Sequence, residues 1–317
     1  MRVVTALGGN ALLQRTERPD AAIQLANVHR AVDALAPLAD QHELVITHGN
    51  GPQVGVLALQ SAADRSLSSP YPFDVLGAET QGMIGYWLLQ SLQNALPTRQ
   101  VCALLNQTLV SAADPAFADP QKFVGPVYER AEAERLAAAR GWTVRPDGGH
   151  WRRVVPSPRP QRVVETRLIR LLLDSGAVAV CAGGGGVPVV RDEQGRLAGV
   201  EAVVDKDLTA ALLAEALDAD FLLLLTDVPY VELGHGTPKA EPVRHTTPAR
   251  LRAHRFPAGS MGPKVEAVCR FVELTGGTAA IGALEDAQAI LDGAAGTVVS
   301  PSGRALRDGA LTHQELR

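Results

Sequence analysis

The chain has 317 residues, of which 46 % are hydrophobic, and it carries a formal net charge of −4 with a sequence pI of about 6.1. This length is sufficient for a large core in one or two domains, and the slightly acidic balance argues against nucleic-acid binding, which needs clustered positive charge. No apolar run approaches the roughly 18–20 residues of a membrane-spanning helix.

Apolar runs and helical patterns alternate through the first hundred residues. Strands are predicted at Val3–Leu7, Leu44–Thr47 and Val101–Leu105, and helices at about Ala21–Gln41, Gln53–Asp64 and Asp74–Ala95. This alternation favours a parallel sheet that is covered by helices on both faces.

The alternation stops between about Asp114 and Pro160, where Pro, Gly, Arg and Trp are frequent. A helix is predicted at Glu129–Arg140, followed by a hairpin whose strands, Trp142–Arg145 and Arg153–Val155, flank a turn at 146–149. Because this segment is too short for a sizeable core of its own, we interpret it as a protruding flap inserted in one domain, 1–317.

Alternation then resumes to the end of the sheet. Helices are predicted at Val163–Ser175, Asp207–Leu217, Gly262–Leu274 and near Asp286–Leu291, strands at Ala177–Ala182, Asp220–Leu225, Ala279–Ile281 and Thr297–Val299, and a hairpin turn at Asp192–Gly195. Pro263 stands near the start of its helix, which is a favoured position for proline.

Three predicted strands end in glycine-rich turns, at Gly8-Gly9-Asn10, His48-Gly49-Asn50-Gly51 and Gly183–Gly186. Ligands bind at the carboxyl ends of strands in open parallel sheets, and glycine lets backbone amides approach an anion, most often phosphate. Each turn alone has a purely structural alternative, but together they predict one anion site, with Asn10 and Asn50 adding polar side chains. His48 is interpreted as a hydrogen-bonded structural group rather than a base.

Two lysines stand at predicted helix starts. Lys206 lies between Asp205 and Asp207, and Lys264 follows the glycine-containing segment 259–263. Their ammonium groups, beside the positive ends of helix dipoles, are suited to neutralise phosphoryl oxygens. The alternatives are a solvated helix N-terminus for the first and an ordinary helix start for the second.

Another strand, Phe221–Leu225, ends in Thr226 and Asp227. These side chains are suited to contact the phosphates of a nucleotide, or its metal through water, although capping is the alternative role. With the glycine turns and lysines they predict phosphoryl transfer, which needs positioned amides and cations more than covalent chemistry. No Walker A motif, His-Arg-Asp kinase loop or G-x-S-x-G elbow is present.

The three cysteines, Cys102, Cys181 and Cys269, lie in apolar contexts without metal-binding spacing. This is typical of small core residues in a reducing compartment. The apolar part of the N-terminus is too short for a secretory signal, so a soluble cytoplasmic protein is expected.

A set of segments that covers nearly the whole chain, in the same order, resembles the carbamate kinases of the amino-acid kinase superfamily. They are Ala6–Leu13, His48–Gly55, Glu79–Tyr86, Asp114–Phe117, Lys122–Pro126, Arg152–Pro158, Gly183–Pro188, Gly199–Asp207 and Gly259–Ala267. The resemblance implies a three-layer αβα sandwich with an open, mainly parallel sheet of about eight strands and a small protruding subdomain at 114–160. It also implies reversible phosphoryl transfer between carbamoyl phosphate and ADP, with Mg²⁺ held mainly through phosphates, by a homodimer that serves arginine or purine breakdown.

The resemblance also assigns residues. Catalytic roles fall on Lys122, Lys206, Asp207 and Lys264, and binding of carbamate or carbamoyl phosphate on Gly8, Gly9, Asn10, Gly49, Asn50 and Gly51. Nucleotide contacts fall on Gly183, Gly184, Gly185, Gly186, Thr226, Asp227, Val228, Tyr230, Ser260 and Met261. The half of the chain up to about residue 176 is expected to hold the carbamate side, and the half from about 177 to 317 the nucleotide.

The chain departs from the family pattern at two places. Glu232 and His235 replace apolar or aromatic residues near the expected base pocket, and Asp119-Pro-Gln121 stands where Pro-Thr is more usual. The alternatives are a related kinase for another small carboxylate or phosphonate, a nucleotide-binding sensor, and a dinucleotide-binding oxidoreductase. The match of the flap to the carbamate kinases argues against a related kinase for another substrate. Retention of Lys122, Lys206, Asp207 and Lys264 argues against a sensor without catalytic activity. Gly183–Gly186 lacks the G-x-G-x-x-G helix opening that a dinucleotide-binding oxidoreductase would have.

Overall fold

The computed structural model describes residues 1–14, 16–237, 240–257 and 259–303 of the chain. The strands in this part are β1 (Arg2–Leu7), β2 (Glu43–His48), β3 (Val101–Ala103), β4 (Gln107–Val110), β5 (Lys122–Tyr128), β6 (Thr143–Asp147), β7 (His150–Val155), β8 (Pro160–Val163), β9 (Val178–Val180), β10 (Val187–Arg191), β11 (Leu197–Gly199), β12 (Phe221–Thr226), β13 (Val231–Leu233), β14 (Glu241–Val243), β15 (His245–Thr246), β16 (Thr278–Ala283) and β17 (Thr297–Val299). The helices are α1 (Gly9–Leu12), α2 (Ala21–Gln41), α3 (Gly51–Ala63), α4 (Phe73–Ala95), α5 (Arg130–Arg140), α6 (Thr166–Asp174), α7 (Lys206–Ala216), α8 (Pro248–Arg252), α9 (Met261–Thr275) and α10 (Ala287–Leu291), with 3₁₀ turns at Pro115–Phe117, Gly183–Gly185 and Leu284–Asp286.

Eight strands form the main sheet, in the order β15-β17-β16-β12-β1-β2-β9-β3. The six strands from β16 to β3 are parallel to one another. Strand β17 runs antiparallel to β16, and β15 runs parallel to β17. The prediction of an open, mainly parallel sheet of about eight strands is therefore confirmed.

Helices pack on both faces of this sheet and make two separate cores. Because successive strand residues face opposite sides, Val4 and Ala6 of β1 lie in one core while Val3 and Leu7 lie in the other. Helices α6, α7 and α9 cover the first face, and α2, α4 and α10 cover the second. The three-layer αβα sandwich is thereby confirmed.

A second sheet, β11-β10-β4-β8, was not predicted. Its strand β8 pairs antiparallel with β4, which places Val163 opposite Thr108. The predicted helix start at Val163 was therefore wrong, and the helix begins at Thr166 after Glu165, whose carboxylate accepts hydrogen bonds from the backbone and side chain of Gln107. Pairing between segments about fifty residues apart leaves little trace in local sequence patterns.

The flap region contains an antiparallel sheet, β5-β7-β6, beside helix α5. The predicted hairpin is present, with Asp147 paired to His150 and Gly148 at φ +62° in the turn. The single-domain span and its two functional halves stay predictions, and residues 304–317 of that span lie outside the described residues. Within the described part of the chain, no helix is both long and apolar enough to cross a membrane.

Candidate active site

The site is built where strands β1, β2 and β9, which are neighbours in the sheet, reach their carboxyl ends. The three glycine-rich turns follow these strands and touch one another. A Cβ placed on Gly49 would lie 2.8 Å from the backbone nitrogen of Gly9, and one on Gly184 would lie 2.2 Å from Nδ2 of Asn50. The structure thus brings the predicted turns together, and glycine is required because the chains approach so closely.

Two helices begin at these turns, α1 at Gly9 and α3 at Gly51. The first amides of a helix have no intrahelical acceptor and lie at the positive end of its dipole, so they favour an anion. Asn50 precedes α3, and its Nδ2 donates to Oγ1 of Thr80 over 2.8 Å, which fixes the side chain in place. Thr80 was not among the predicted residues.

Asp207, at the start of α7, is the buried centre of the charged cluster. One of its carboxylate oxygens accepts a short hydrogen bond from Lys206, and the other lies 3.0 Å from Nζ of Lys264. The Asp207 side chain is 5 % exposed, and those of Lys206 and Lys264 are 12 % and 14 % exposed. Two ammonium groups from different helices therefore share one carboxylate away from bulk water.

The electrostatics of the cluster keep this carboxylate ionised. Burial alone would raise the pKa of Asp207, but the charges of Lys206 and Lys264 overcome it and hold the pKa well below its usual range. Burial, with the like charge of Lys264, lowers the pKa of the Lys206 ammonium, while Asp207 opposes that shift. The positive charge at the site thus depends on Asp207.

Asp205, two residues earlier, has a separate role that sequence reasoning missed. Its Oδ1 accepts from the amides of Asp207 and Leu208 over 2.9 and 3.3 Å, so it is the N-cap of α7. Its Oδ2 lies 2.6 Å from Nζ of Lys122, which reaches the site from strand β5 of the flap. Burial opposes the charged form of Lys122, but the Asp205 carboxylate raises the pKa of this lysine.

These contacts bring the four predicted catalytic residues together. Lys122, Lys206 and Lys264 come from three distant segments and converge on two carboxylates, Asp205 and Asp207. The sequence signal that identifies Asp205 is its place directly before a helix start, where aspartate is a preferred N-cap.

The four-glycine run at the end of β9 is buried and densely packed. The amides of Gly185 and Gly186 donate to the carbonyls of Ala182 and Gly183, so they are occupied within the turn. A Cβ would lie 2.3 Å from Nε2 of His48 at Gly183, and 2.0 Å from Oγ1 of Thr108 at Gly186. The run therefore supports the side chains around it, and its predicted contact with a nucleotide stays a prediction.

His48 is buried beneath this run. Its Nδ1 lies 3.0 Å from the carbonyl oxygen of Gly49, which can only accept, so Nδ1 carries the proton. Burial lowers the pKa of His48 to about 4, because the charged imidazolium is poorly solvated there and lies near Lys206. This geometry agrees with the interpretation of His48 as a structural group.

The end of β12 faces the same site from its other side. Asn10 donates to Oδ2 of Asp227 over 2.8 Å, and Thr226 donates to Oδ1 over 3.1 Å. Burial raises the pKa of Asp227, but these hydrogen bonds and the charge of Lys264 lower it overall. A cleft of about 410 Å³ opens beside these residues and also contains Arg30 and Glu285.

The remaining predicted nucleotide residues follow β12 or begin α9. Val228 and Tyr230 are half-buried, Ser260 precedes α9, and Met261 packs against one core. Arg244 stacks over the ring of Tyr230 at 5.2 Å. Glu232 and His235, the departures from the family pattern, pair with each other over 2.7 Å. Their effect on a nucleotide stays a prediction.

Comparison with known proteins places this geometry in a family. The model described as "Amino acid kinase family" matches residues 1–282. The carbamate kinase of Rhizobium meliloti (strain 1021) is 53 % identical over 305 residues, which cover 95 % of this chain and 94 % of that relative. The solved structure of carbamate kinase from Giardia lamblia bound to citric acid has a TM-score of 0.88 and 39 % identity, covering 94 % of this chain and 98 % of that one. The Giardia lamblia enzyme bound to AMP-PNP matches with the same coverages and identity and a TM-score of 0.86.

Replacing Gly184 with alanine is expected to destabilise the fold. Gly184 has φ +65° and a Cβ there would overlap the Asn50 side chain, so the Gly184→Ala change adds backbone strain to overpacking. We expect a loss of about 2–4 kcal/mol in the free energy of unfolding, measured by denaturant titration. Gly195→Ala is the matched control, because Gly195 has φ +78° with open space around it, and should lose only about 1 kcal/mol. Equal losses in the two variants would contradict the packing role.

We expect the free energy of unfolding to decrease in mild acid because of His48. Since its pKa falls from 6.5 to about 4 on folding, the unfolded chain binds more protons between these pH values, and stability decreases as pH falls through that window. The loss attributable to His48 is about 3 kcal/mol. Denaturant unfolding at pH 7 and pH 4.5 should therefore give a smaller difference for His48→Gln than for the original protein. The exposed His254→Gln is the control, and an unchanged difference in His48→Gln would refute the assignment.

Proposed function

The chain belongs to the amino acid kinase family and to its carbamate kinases, and we propose a residue-by-residue account of the phosphoryl transfer that it catalyses. It is a phosphotransferase that moves a phosphoryl group between carbamoyl phosphate and ADP. The products are ATP and carbamate, which breaks down to ammonia and CO₂, and the reaction is reversible.

One observation carries the residue assignment, the convergence of three lysines on Asp205 and Asp207. Phosphoryl transfer spreads negative charge over the equatorial oxygens of the transferring group, and positioned cations stabilise that charge most strongly in a site shielded from water. Lys206 and Lys264 would neutralise these oxygens directly. Lys122 would complete the cluster from the flap side.

The reaction needs no general base in this site. A terminal phosphate oxygen of ADP attacks phosphorus, the bond from phosphorus to the carbamate oxygen breaks, and both oxygens exchange roles in reverse. Because the attacking oxygen is already anionic, no proton has to be removed from it. This agrees with the neutral, buried state of His48, which directly precedes the turn at Gly49.

The two substrates would occupy different halves of the site. The carbamate side would lie at the starts of α1 and α3, where Gly8, Gly9 and Asn10 meet Gly49, Asn50 and Gly51. The nucleotide would lie towards the ends of β12 and β9 and the start of α9. Contacts at this side are proposed for Gly183–Gly186, Thr226, Asp227, Val228, Tyr230, Ser260 and Met261. The bound AMP-PNP of the Giardia lamblia structure supports a nucleotide site in this fold.

Mg²⁺ is the proposed cofactor, bound with the nucleotide. Within the described ranges, no three His, Cys, Asp or Glu side chains are grouped as ligands of a metal ion. The hard carboxylate of Asp227 fits a magnesium-bound water, and the nucleotide phosphates would supply the direct ligands. Bound there, the ion would neutralise charge on the phosphates.

The proposal extends to assembly, location and metabolic role. A homodimer is favoured by β3, which is an edge strand of the main sheet within the described residues, and by exposed apolar side chains on α4 and α6 that include Tyr86, Leu168 and Leu171. The three free cysteines support a reducing, cytoplasmic location. A role in arginine or purine breakdown is proposed from family membership.

Formation of ATP from carbamoyl phosphate, ADP and Mg²⁺ in a coupled assay tests this account. Lys264→Met should reduce kcat by at least about 100-fold, because it removes a positive charge that is needed mainly in the transition state. Arg196→Met, which removes an exposed charge on the β10–β11 hairpin, is the control and should keep full activity. Absence of ATP with the original chain, or faster turnover with another small acyl phosphate, would contradict the proposed function.

A further inference from the structure

Four side chains form a continuous stack of alternating cations and rings beside the flap. Arg140 lies 5.0 Å from the ring centroid of Trp142, and Arg153 lies 4.6 Å from that ring and 4.7 Å from the ring of Phe73. All three distances are within the range of cation–π attraction. Three members belong to the flap region, whereas Phe73 begins helix α4, so the contact of Arg153 with Phe73 joins the flap to the rest of the protein.

The joining contact is largely shielded from water. Phe73 is 2 % exposed and the Arg153 side chain is 19 % exposed. Burial lowers the pKa of Arg153, because the charged guanidinium is partly removed from water at this place. Cation–π attraction is strongest for a desolvated cation. The partly buried guanidinium of Arg153 is therefore well placed to attract both rings.

Glu201 connects this stack to the catalytic segment. Its Oε1 lies 3.6 Å from Arg153, and its Oε2 accepts from the backbone amide of Phe73 over 2.8 Å. Glu201 stands four residues before Asp205, the partner of Lys122. Between them, Val203 donates to the carbonyl of Pro156 over 3.0 Å, which is a second contact from the segment that follows β7.

Strand pairing links the position of Lys122 on β5 to that of Arg153 on β7. In the register of β5 with β7, Val124 is opposite Arg153 and Lys122 is opposite Val155. Next to the stack, a cleft of about 590 Å³ lies between the flap and helices α3 and α4. Val124 and Val155 of the flap strands also pack with Phe73 and with residues of α3 in a buried apolar cluster. The stack therefore adds a contact of fixed geometry to this packing.

We propose that Arg153 is a positioning residue, which holds strand β5 so that the ammonium of Lys122 reaches Asp205 and the transferring phosphoryl group. The proposal rests on the role given above to Lys122. Arg153 itself touches no substrate. It belongs to segment 152–158, which resembles the carbamate kinases but to whose residues the resemblance assigns no role.

Arg153→Met should lower kcat about 5- to 20-fold with the KM for ADP changed less than about twofold, since Arg153 contacts Phe73, Trp142 and Glu201, which are not among the residues proposed to bind the nucleotide. Arg153→Lys, which keeps the charge but not the planar stack, should retain more activity than Arg153→Met. Arg130→Met is the matched control: Arg130 stacks on Trp151 at 5.4 Å within the flap region but does not join it to α4. A loss as large in Arg130→Met would overturn the proposal.

A double variant separates positioning through Lys122 from general structural damage. In a Lys122→Ala background, adding Arg153→Met should cause no further loss of kcat, because its effect passes through the missing ammonium. Losses that multiply would overturn the proposal. If Lys122→Ala alone kept full kcat, this proposal would fail, whereas the proposed phosphoryl transfer would still stand on the Lys264 variant.

Hydrogen exchange gives a readout that is independent of activity. Amides of β5 and β7 should exchange faster in Arg153→Met than in Arg130→Met, while those of β1 and β12 should be unchanged. Exchange that rises equally across the main sheet would indicate global destabilisation and would contradict a local positioning role for Arg153.

Discussion

The pairing of one buried carboxylate, Asp207, with two lysines is the interaction on which the rest of the site depends. Lys206 and Lys264 arrive on different helices, and without a negative charge between them their ammonium groups would repel in a poorly solvated place. Removing one partner from such a buried cluster typically costs about 3–5 kcal/mol. The fold therefore holds positive charge where substrate phosphates would bind, and it can do so only while Asp207 stays ionised.

The parallel sheet explains how such distant residues meet. Strands β1, β2, β9 and β12 all end at one edge, so each turn that follows them faces the same space. Glycine is needed in these turns because neighbouring chains lie closer than a Cβ allows. The flap adds what the sheet edge lacks, a cation from the opposite side, and Asp205 connects it to the same helix that carries Asp207.

Much of this arrangement could be predicted from local pattern. The strand ends with glycine turns, helix α2 at Ala21–Gln41, the hairpin of the flap and the two lysines at helix starts all have short-range signals. The pairing of β4 with β8 and β10 joins distant segments, which local pattern does not record, whereas the β10–β11 hairpin has its predicted turn at Asp192–Gly195. The antiparallel direction of β17 also has no local signal. The N-cap position of Asp205 has a local signal. Its contact with Lys122, and the place of Arg153 between two rings, depend on the side chains that pack around them, so only the folded structure shows these contacts.

Single-turnover phosphoryl transfer by Asp207→Asn tests the role of this carboxylate, because the substitution keeps the shape of the side chain but removes its charge. We expect a rate constant for the chemical step at least about 100-fold lower, with the Kd for ADP changed only a few-fold, because the lysines lose the partner that holds them charged and in place. A variant that transfers the phosphoryl group at the original rate would contradict this role.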